Sequence, residues 1–391
     1  MALYDMVFEG GGAKGSVFVG ALRALKERGH GHRRLIGTSA GAITATLIAA
    51  GYEPDEMLEA VNEKLKDKNG NVVTDDDGNP VPRFSSFMDP PVADDFDQAM
   101  RDASLTAEIF RRIHFPKLPN FEWLDRMLLN AMLGDQHYRQ LFSFVECGGL
   151  FAGDKFLGWL REKLDRIGAT PAGKGVTSGD TFKEFSKKTE TDLSLVATDT
   201  TANEMLILNS RTAPDLPVAW AVRMSMSIPF VWREVPWQPE WGTYRGKPKL
   251  DEQGRGNIIV DGGVLSNFPL RFIADEPAND DEVREVMGGT PAGEAGNLGL
   301  LIDETIAVAG SGGDPGASSP HLVGKLRTAQ RVMRIMDTMM QANDKSYIAD
   351  HARFVCRLPA QGYGTTEFGM SEARLNALVQ AGYDAMIAHL A

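Results

Sequence analysis

Residues 4–25 read YDMVFEGGGAKGSVFVGALRAL, a short apolar run that leads through a glycine cluster into an amphipathic segment. Residues 4–9 predict a buried strand, and apolar residues at helical spacing predict a helix over residues 16–28. A second strand and a second helix are predicted at residues 33–37 and 40–50. This alternation predicts an α/β fold, with a mainly parallel central sheet between helices in a three-layer α/β/α arrangement.

The rest of the chain continues this alternation. Strands are predicted at residues 193–199, 204–209, 257–260 and 353–358, and helices at residues 217–226, 321–343 and 371–390. The Gly-, Pro- and Ser-rich residues 292–299 and 310–320 predict surface loops.

One stretch, residues 66–150, interrupts the pattern. Residues 69–82 are rich in Asn, Asp, Gly and Pro and predict a loop or a loose hairpin, whereas residues 84–144 predict short amphipathic helices. We expect residues 1–391 to form one catalytic domain that carries a helical insertion over residues 66–150. This insertion either covers the functional site as a lid or serves as scaffold.

Composition narrows the classes of partner. The formal net charge of −12 disfavours general binding to nucleic acid or to anionic lipid, so any peripheral membrane contact needs a local patch. The chain has two cysteines, Cys147 and Cys356, in no metal-binding pattern, which predicts reduced thiols, no metal site and a cytoplasmic location. The N-terminus lacks the pattern of a secretory signal, and the apolar residues 40–51 are too few to span a bilayer.

The first motif that indicates chemistry is GxSxG, formed by Gly37, Thr38, Ser39, Ala40 and Gly41. It lies between a predicted strand and a predicted helix, which is the context of a nucleophile elbow. Glycines on both sides permit a turn so sharp that the serine projects above the sheet. The alternative is a tight turn in which the serine side chain caps the helix.

The second motif comprises Gly10, Gly11, Gly12, Ala13, Lys14 and Gly15, again between a strand and a helix. It matches the dinucleotide fingerprint GxGxxG, but no acidic residue ends the second strand, where a ribose-binding carboxylate is expected. Consecutive glycine N–H groups suit an oxyanion hole better. Gly11, Gly12 and Ala13 are the candidate donors, and Lys14 either adds positive charge nearby or is solvated.

The third motif is Asp261, Gly262 and Gly263, directly after the predicted strand at residues 257–260. An Asp at the carboxyl end of a parallel strand lies where α/β sheets place their sites. The alternative is an ordinary Asp-Gly turn.

Taken in order, GGGAKG, GTSAG and DGG resemble the motifs of the patatin-like phospholipase family. Residues 223–230, RMSMSIPF, resemble the helix-to-proline segment that lies near the active site of that family. The resemblance covers residues 3–52 and 193–270 and is weaker over residues 321–391. Residues 53–190 match no part of the family pattern, so it leaves substrate preference open.

The resemblance implies a lipid acyl hydrolase of the phospholipase A or lysophospholipase type that uses a Ser–Asp dyad and no cofactor. Ser39 would be the nucleophile, Asp261 the base, and the glycine-rich loop the oxyanion hole. The implied substrate is a phospholipid or another fatty-acyl ester. An unperturbed Asp, with a pKa near 3.9, is a poor base for an alcohol, so such a dyad needs a dry site.

The same motifs are compatible with several other functions. An acyltransferase would use the same site. A Ser–His–Asp esterase would recruit His321 or His351, both of which follow Asp261 in the chain. A nucleotide-binding protein or an inactive interaction module would use the glycine-rich loop without catalysis. The predicted helix at residues 321–343 has an apolar stripe and a basic face, so it either packs on the core or lies on a bilayer. The sequence does not indicate an oligomeric state.

Overall fold

The computed structural model of the protein describes residues 2–92, 133–274, 280–289, 293–310 and 344–391, together with residues 331, 334, 335 and 338. The strands are β1 (Leu3–Phe8), β2 (Gly31–Thr38), β3 (Gly149–Phe151), β4 (Asp192–Asp199), β5 (Glu204–Leu208), β6 (Phe230–Trp232), β7 (Val235–Pro236), β8 (Thr243–Tyr244), β9 (Lys247–Pro248), β10 (Ile258–Asp261), β11 (Gly296–Ala307) and β12 (Val355–Gln361). The helices are α1 (Val17–Glu27), α2 (Ala40–Ala49), α3 (Pro54–Val61), α4 (Gln136–Glu146), α5 (Asp154–Gly168), α6 (Phe182–Thr189), α7 (Val218–Ser225), α8 (Arg271–Ala274), α9 (Asp281–Met287), α10 (Lys345–Asp350) and α11 (Glu372–His389).

The central sheet has the strand order β12-β11-β1-β2-β4-β10-β7, and β5 pairs with β4. Strands β12, β11, β1, β2 and β4 run parallel to their neighbours. Strands β5 and β10 both run antiparallel to β4, and β7 runs antiparallel to β10. The sheet is therefore parallel through its centre and antiparallel at one side.

The register of β4 brings the ends of two distant strands together. Thr38, the last residue of β2, pairs with Val196, and Asp261, the last residue of β10, pairs with Ala197. Strand β5 pairs along one edge of β4 with residues that include both Val196 and Ala197. Strands β2 and β10 must therefore both pair with the other edge of β4. The residue after Thr38 and the carboxylate of Asp261 consequently meet, although they are far apart in the chain.

Alternating residues of the central strands pack into two separate cores. Met6 and Phe8 of β1 join the larger core, which includes Phe18 of α1 and Leu378 of α11. Val7, which points to the other face, joins a second core with residues of α8 and α9. Helices therefore cover both faces of the sheet, and the expected three-layer α/β fold with a mainly parallel sheet is confirmed.

Most predicted strands are confirmed, but one was missed. Residues 292–299 were expected to form a surface loop, whereas Gly296 begins β11, which lies between β1 and β12. The glycines that suggested a loop have a packing role. A Cβ atom at Gly299 would lie 2.5 Å from the ring of Phe268, so this strand position has no room for a side chain.

The described part of the predicted insertion contains two tight hairpins. Bridges join Lys66 to Val72 and Thr74 to Pro80, so residues 69–82, expected to form a loop or one loose hairpin, take part in two short hairpins. Helix α4 and strand β3 follow at its carboxyl end. Residues 93–132, most of the predicted helix at 321–343, and all but the first residue of the predicted loop at 310–320 lie outside the described residues.

Candidate active site

Ser39 lies at the sharp turn between β2 and α2. Its backbone has φ 53° and ψ −119°, a left-handed conformation that is uncommon for a residue other than glycine. The turn is closed so tightly that a Cβ atom on Gly37 would lie 2.2 Å from the carbonyl oxygen of Gly41. The Ser39 N–H donates to Ser225 Oγ at 2.9 Å, and the Ser39 side chain makes no capping hydrogen bond to α2. The helix-cap alternative is therefore wrong, and this geometry is that of a nucleophile elbow.

Asp261 is completely buried at the end of β10. Its Oδ1 accepts a hydrogen bond from the Gly263 N–H at 2.8 Å, and its own N–H donates to the carbonyl oxygen of Ser227 at 2.9 Å. Its Oδ2 is buried and has no hydrogen-bond partner of full geometry among the described residues. We expected a parallel strand here, but β10 runs antiparallel to β4. Strands β2 and β10, which end at Thr38 and Asp261, therefore approach the site from opposite directions.

Burial raises the pKa of Asp261 from its ordinary value to about 7, and the Gly263 N–H and the Ser39 hydroxyl lower it in part. The influence of the hydroxyl places it beside the carboxylate. Since no hydrogen bond of full geometry joins them, we take Ser39 Oγ to face Oδ2 without a completed bond. A carboxylate with this pKa is a far better base for an alcohol than an exposed Asp.

The glycine-rich loop packs directly on the elbow. A Cβ atom on Gly10 would lie 3.1 Å from the Cβ of Ser39, and a Cβ atom on Gly15 would lie 2.6 Å from the Cβ of Ala40. Gly12 has φ +56°, and a Cβ atom there would lie 2.1 Å from the carbonyl oxygen of Thr365. The first and second sequence motifs are therefore in contact, and the third meets them through β4.

The N–H groups of this loop fall into two sets. Those of Gly10, Ala13 and Lys14 donate to the carbonyl oxygens of Asn267, Thr365 and Gly11 at 3.0, 2.9 and 3.2 Å. The N–H groups of Gly11 and Gly12 have no acceptor within the described parts of the chain. The expected donor Ala13 is thus occupied in this conformation, because Thr365 from the loop after β12 binds it. Gly11 and Gly12 remain free to bind an anion.

Lys14 is not solvated, contrary to the simpler expectation. Its side chain is 5% exposed, and its Nζ forms an ion pair with Glu304 of β11. Lys14 also lowers the pKa of Glu9, which burial raises to about 8 overall. The positive charge of Lys14 is consequently held behind the loop by a carboxylate.

Three polar residues that hold the site had no individual role predicted from the sequence, although two of them, Arg223 and Ser225, belong to the helix-to-proline segment expected near the site. Ser225 Oγ accepts the Ser39 N–H and donates to the carbonyl oxygen of Val196 at 2.6 Å. Arg223 is buried, and its guanidinium donates to the carbonyl oxygen of Ala152 at 2.7 Å and to Ser227 Oγ. Burial lowers the pKa of Arg223 to about 10. The signal was present, since residues 223–227 combine Arg and Ser within an otherwise apolar helix end.

The third missed residue is Asn267, which is 7% exposed and lies six positions after Asp261. Its Nδ2 donates to the carbonyl oxygen of Gly10 at 3.0 Å and to Glu9 Oε1 at 3.2 Å. The available signal was an Asn within residues 264–270, VLSNFPL, a mostly apolar stretch directly after the DGG motif.

Two cavities adjoin the glycine-rich loop. The first, of about 710 Å³ including its open mouth, is lined by Ser39, Gly12 and apolar side chains. The apolar lining includes Ile43, Leu47, Met57, Phe87, Phe156, Trp159, Met226, Ile228, Trp232 and Phe368. The second cavity, of about 1140 Å³, is polar and is lined by Glu9, Lys14, Asp303, Glu304 and Arg357 among others. Ser39 therefore faces the apolar pocket.

His351, a candidate for a Ser–His–Asp triad, is engaged elsewhere. Its ring stacks on Tyr347 with centroids 4.2 Å apart, and its Nδ1 lies 3.1 Å from the carbonyl oxygen of Tyr347. Within the described residues, no histidine contacts Asp261 or influences its pKa. His321 lies outside the described residues.

The sharp turn at Ser39, the glycine-rich loop and the buried carboxylate of Asp261 are the kinds of group from which acyl-transfer sites on α/β sheets are built. A family model described as patatin-like phospholipase matches residues 6–273, more than half of the chain. The chain therefore belongs to the patatin-like phospholipase family, and lipid acyl hydrolase is its general class. The earlier resemblance is confirmed.

Individual relatives add little about activity. The chain is 26% identical to the uncharacterized protein YqhO of Bacillus subtilis, over 97% of this chain and 94% of the relative. The solved structure of VipD from Legionella pneumophila is 20% identical, with a TM-score of 0.43, and covers 99% of this chain and 66% of its own. The ExoU–SpcU complex from the type III secretion system of Pseudomonas aeruginosa gives 19% identity, a TM-score of 0.39, and coverage of 100% and 51%.

The chain thus spans about half to two thirds of the length of these two solved chains. Among the described residues, no helix has both the length and the apolar character that crossing a bilayer requires.

Proposed function

We propose that this protein hydrolyses fatty-acyl esters of the phospholipase A or lysophospholipase type, with Ser39 as nucleophile and Asp261 as base. The observation that carries the proposal is the buried Asp261 Oδ2, which lies unpaired beside the strained Ser39 turn. A buried carboxylate oxygen without a partner is costly, and such groups cluster at sites that perform chemistry. We also treat residues 1–391 as one catalytic domain, because a single core includes both Met6 and Met386.

In the first half of the reaction, Ser39 Oγ attacks the acyl carbonyl carbon while Asp261 accepts the hydroxyl proton. The bond between the carbonyl carbon and the leaving oxygen then breaks, and Asp261 returns the proton to the leaving alcohol. The product is an acyl ester on Ser39. In the second half, water attacks this ester and gives a proton to Asp261. The C–Oγ bond breaks, the fatty acid leaves, and the proton returns to Ser39.

The proposed oxyanion hole consists of the N–H groups of Gly11 and Gly12. They are free among the described residues, and they belong to a loop that contacts Ser39. Fixed donors of this kind stabilise the negative oxygen of the tetrahedral intermediate, and each contributes about 3 kcal/mol. Ala40, at the N-terminus of α2, adds the favourable end of a helix dipole behind the nucleophile.

The substrate class follows from the pocket on the Ser39 side. This pocket opens beside Ser39, and its lining contains apolar side chains and no charged one. Its side chains offer an acyl chain apolar contact and offer a headgroup no charge. We therefore expect the pocket to bind the acyl chain and the headgroup to remain outside it.

A mass-spectrometric screen of lipid hydrolysis tests this proposal. The wild type should release fatty acid from phospholipid or lysophospholipid, and Ser39→Ala should release none above background. Ser178→Ala is a matched control, because Ser178 lies beside Asp165 at the end of α5, away from the site. A wild type that hydrolyses no acyl ester, or an active Ser39→Ala variant, would contradict the proposal.

A further inference from the structure

Asn267 makes two backbone contacts with one glycine of the catalytic loop. The Asn267 carbonyl oxygen accepts the Gly10 N–H at 3.0 Å, and Asn267 Nδ2 donates to the Gly10 carbonyl oxygen at 3.0 Å. Both polar groups of Gly10 are therefore held by a single residue. Gly10 precedes Gly11 and Gly12 directly, so its position determines where their free N–H groups lie.

A second set of hydrogen bonds fixes Asn267 itself. Its Nδ2 also donates to Glu9 Oε1 at 3.2 Å, and Glu9 Oε2 accepts the Ile302 N–H of β11 at 2.6 Å. On the other side, Asp344 accepts from the hydroxyl of Ser266 at 3.0 Å and from the N–H of Phe268 at 2.8 Å. The residues on both sides of Asn267 are thus anchored, and the amide joins the loop to the sheet.

The remaining atom of this amide is buried and unsatisfied. Asn267 Oδ1 has no hydrogen-bond partner among the described residues. A Cβ atom on Gly10 would lie 2.2 Å from this oxygen and 3.1 Å from the Cβ of Ser39. The amide therefore occupies the space between the loop and the nucleophile, where an apolar side chain of similar size would remove the unsatisfied oxygen but also the Nδ2 donor. Its retention there indicates that the Nδ2 donor matters more than the cost of the oxygen.

We infer that Asn267 is a positioning residue for the oxyanion hole, which sets the Gly11 and Gly12 N–H groups relative to Ser39 by holding Gly10. This inference deepens the proposed function and rests on it. Asp261 and Asn267 belong to one short segment, so the same loop places the base and fixes the donors.

The inference predicts a particular kinetic signature. The oxyanion exists in the tetrahedral intermediate and in the transition states around it, so misplaced donors reduce kcat more than they change KM. A residue that only stabilised the fold would instead change the melting temperature and the fraction of active protein. It would leave the turnover of each folded molecule unchanged.

The test compares the wild type with Asn267→Leu and Asn267→Asp. The first removes the whole amide, and the second keeps its volume but removes the Nδ2 donor. Asn209→Leu is the matched control, because Asn209 is also buried and its Nδ2 donates to Ser194 Oγ and to the carbonyl oxygen of Val286, away from the site. For each protein, kcat and KM on a p-nitrophenyl fatty ester, inhibition by a fatty-acyl trifluoromethyl ketone and the melting temperature are measured.

We expect both Asn267 variants to lose about 100-fold in kcat, with a similar loss of affinity for the ketone, which forms a tetrahedral adduct on Ser39. Their KM should stay within about threefold of wild type. Asn209→Leu should melt earlier but keep its kcat per folded molecule. Unchanged kcat in Asn267→Leu, or a kcat loss without a loss of ketone affinity, would overturn the inference. A wild type without esterase activity would instead remove the proposed function, and this inference with it.

Discussion

The two cavities beside the glycine-rich loop have opposite character. The pocket on the Ser39 side is lined almost entirely by apolar side chains, whereas about half of the residues that line the cavity behind the loop are charged. Four of the charged side chains in the polar cavity form two ion pairs, since Lys14 pairs with Glu304 and Arg357 pairs with Asp303 at 3.0 Å. In the apolar pocket Ser39 is exposed to the ligand space without a neighbouring charged side chain in the lining.

This difference separates two tasks. Paired charges and hydrogen bonds behind the loop hold it in place, burial raises the pKa of Asp261, and we expect the apolar pocket to accommodate an acyl chain. We therefore expect substitutions on the apolar side to change chemistry or chain preference strongly, and isolated changes among the exposed charges of the polar cavity to have little effect.

The largest expected effect comes from Asp261→Asn. It keeps an oxygen that can accept the Gly263 N–H but removes the base, so kcat should fall by about 10³-fold or more. Steady-state hydrolysis of a p-nitrophenyl fatty ester measures this loss. The control is Asp251→Asn, which should keep full activity. Asp251 lies in a turn, where its carboxylate binds the N–H and the guanidinium of Arg255.

The same substitution should stabilise the protein at alkaline pH. Because the folded-state pKa of Asp261 is raised to about 7, the wild type loses stability as pH rises from about 4 to about 7 and regains none above it. Asp261→Asn has no such loss. At pH 8 its free energy of unfolding should exceed that of wild type by about 2–4 kcal/mol, and the difference should shrink toward pH 4. If the stability difference between wild type and Asp261→Asn were the same at pH 4 and at pH 8, the result would contradict the burial of an ionisable Asp261.

The next largest effect concerns chain length. Ile43 of α2 lines the apolar pocket, so Ile43→Trp should obstruct it and reduce kcat/KM for a palmitoyl ester about 30-fold or more relative to an acetyl ester. Ile48→Trp lies on the same helix, outside that pocket, and should leave the ratio unchanged. An equal loss on both esters in Ile43→Trp would show that this pocket does not bind the chain.

A smaller, graded effect is expected from pH. Asp261 must be ionised to accept a proton, and burial raises its pKa to about 7. The kcat/KM of the wild type should therefore fall about tenfold for each pH unit below this value and level off above it. A profile that is flat from pH 5 to pH 8 would show that no group with this pKa acts as the base.

The smallest effect should come from the polar cavity. Arg357 is half-exposed and pairs with Asp303, and a pair of this kind contributes about 1 kcal/mol at most. Arg357→Gln should change kcat by less than about twofold and leave the chain-length preference intact. A larger loss of activity would mean that the charged cavity takes part in substrate binding.

Local sequence predicted the parts of the site that are continuous in the chain. The strand, glycine loop and helix of residues 4–25 and the elbow at Ser39 are where their motifs indicated, because each is determined by neighbouring glycines and apolar spacing. Predictions were less accurate where long-range pairing decides the structure. The antiparallel direction of β10 depends on β4, and the strand identity of Gly296–Ala307 depends on β1.

The same reason explains the missed polar contacts. Nothing next to Lys14 in the chain indicates that Glu304, 290 positions later, neutralises it. Asn267 likewise gains its role only when Gly10, 257 positions earlier, comes within hydrogen-bond distance. A family motif can name the nucleophile, but the groups that orient its loop are determined by tertiary packing.

The most direct test of the central claim is covalent labelling with a fluorophosphonate, followed by intact-mass analysis and peptide mapping. The wild type, Asp261→Asn and His351→Ala are compared under the same conditions. We predict one adduct per chain, on Ser39, formed at the wild-type rate in His351→Ala and at least about 100-fold more slowly in Asp261→Asn. Labelling at another residue, or labelling that depends on His351 and not on Asp261, would contradict a Ser39–Asp261 dyad.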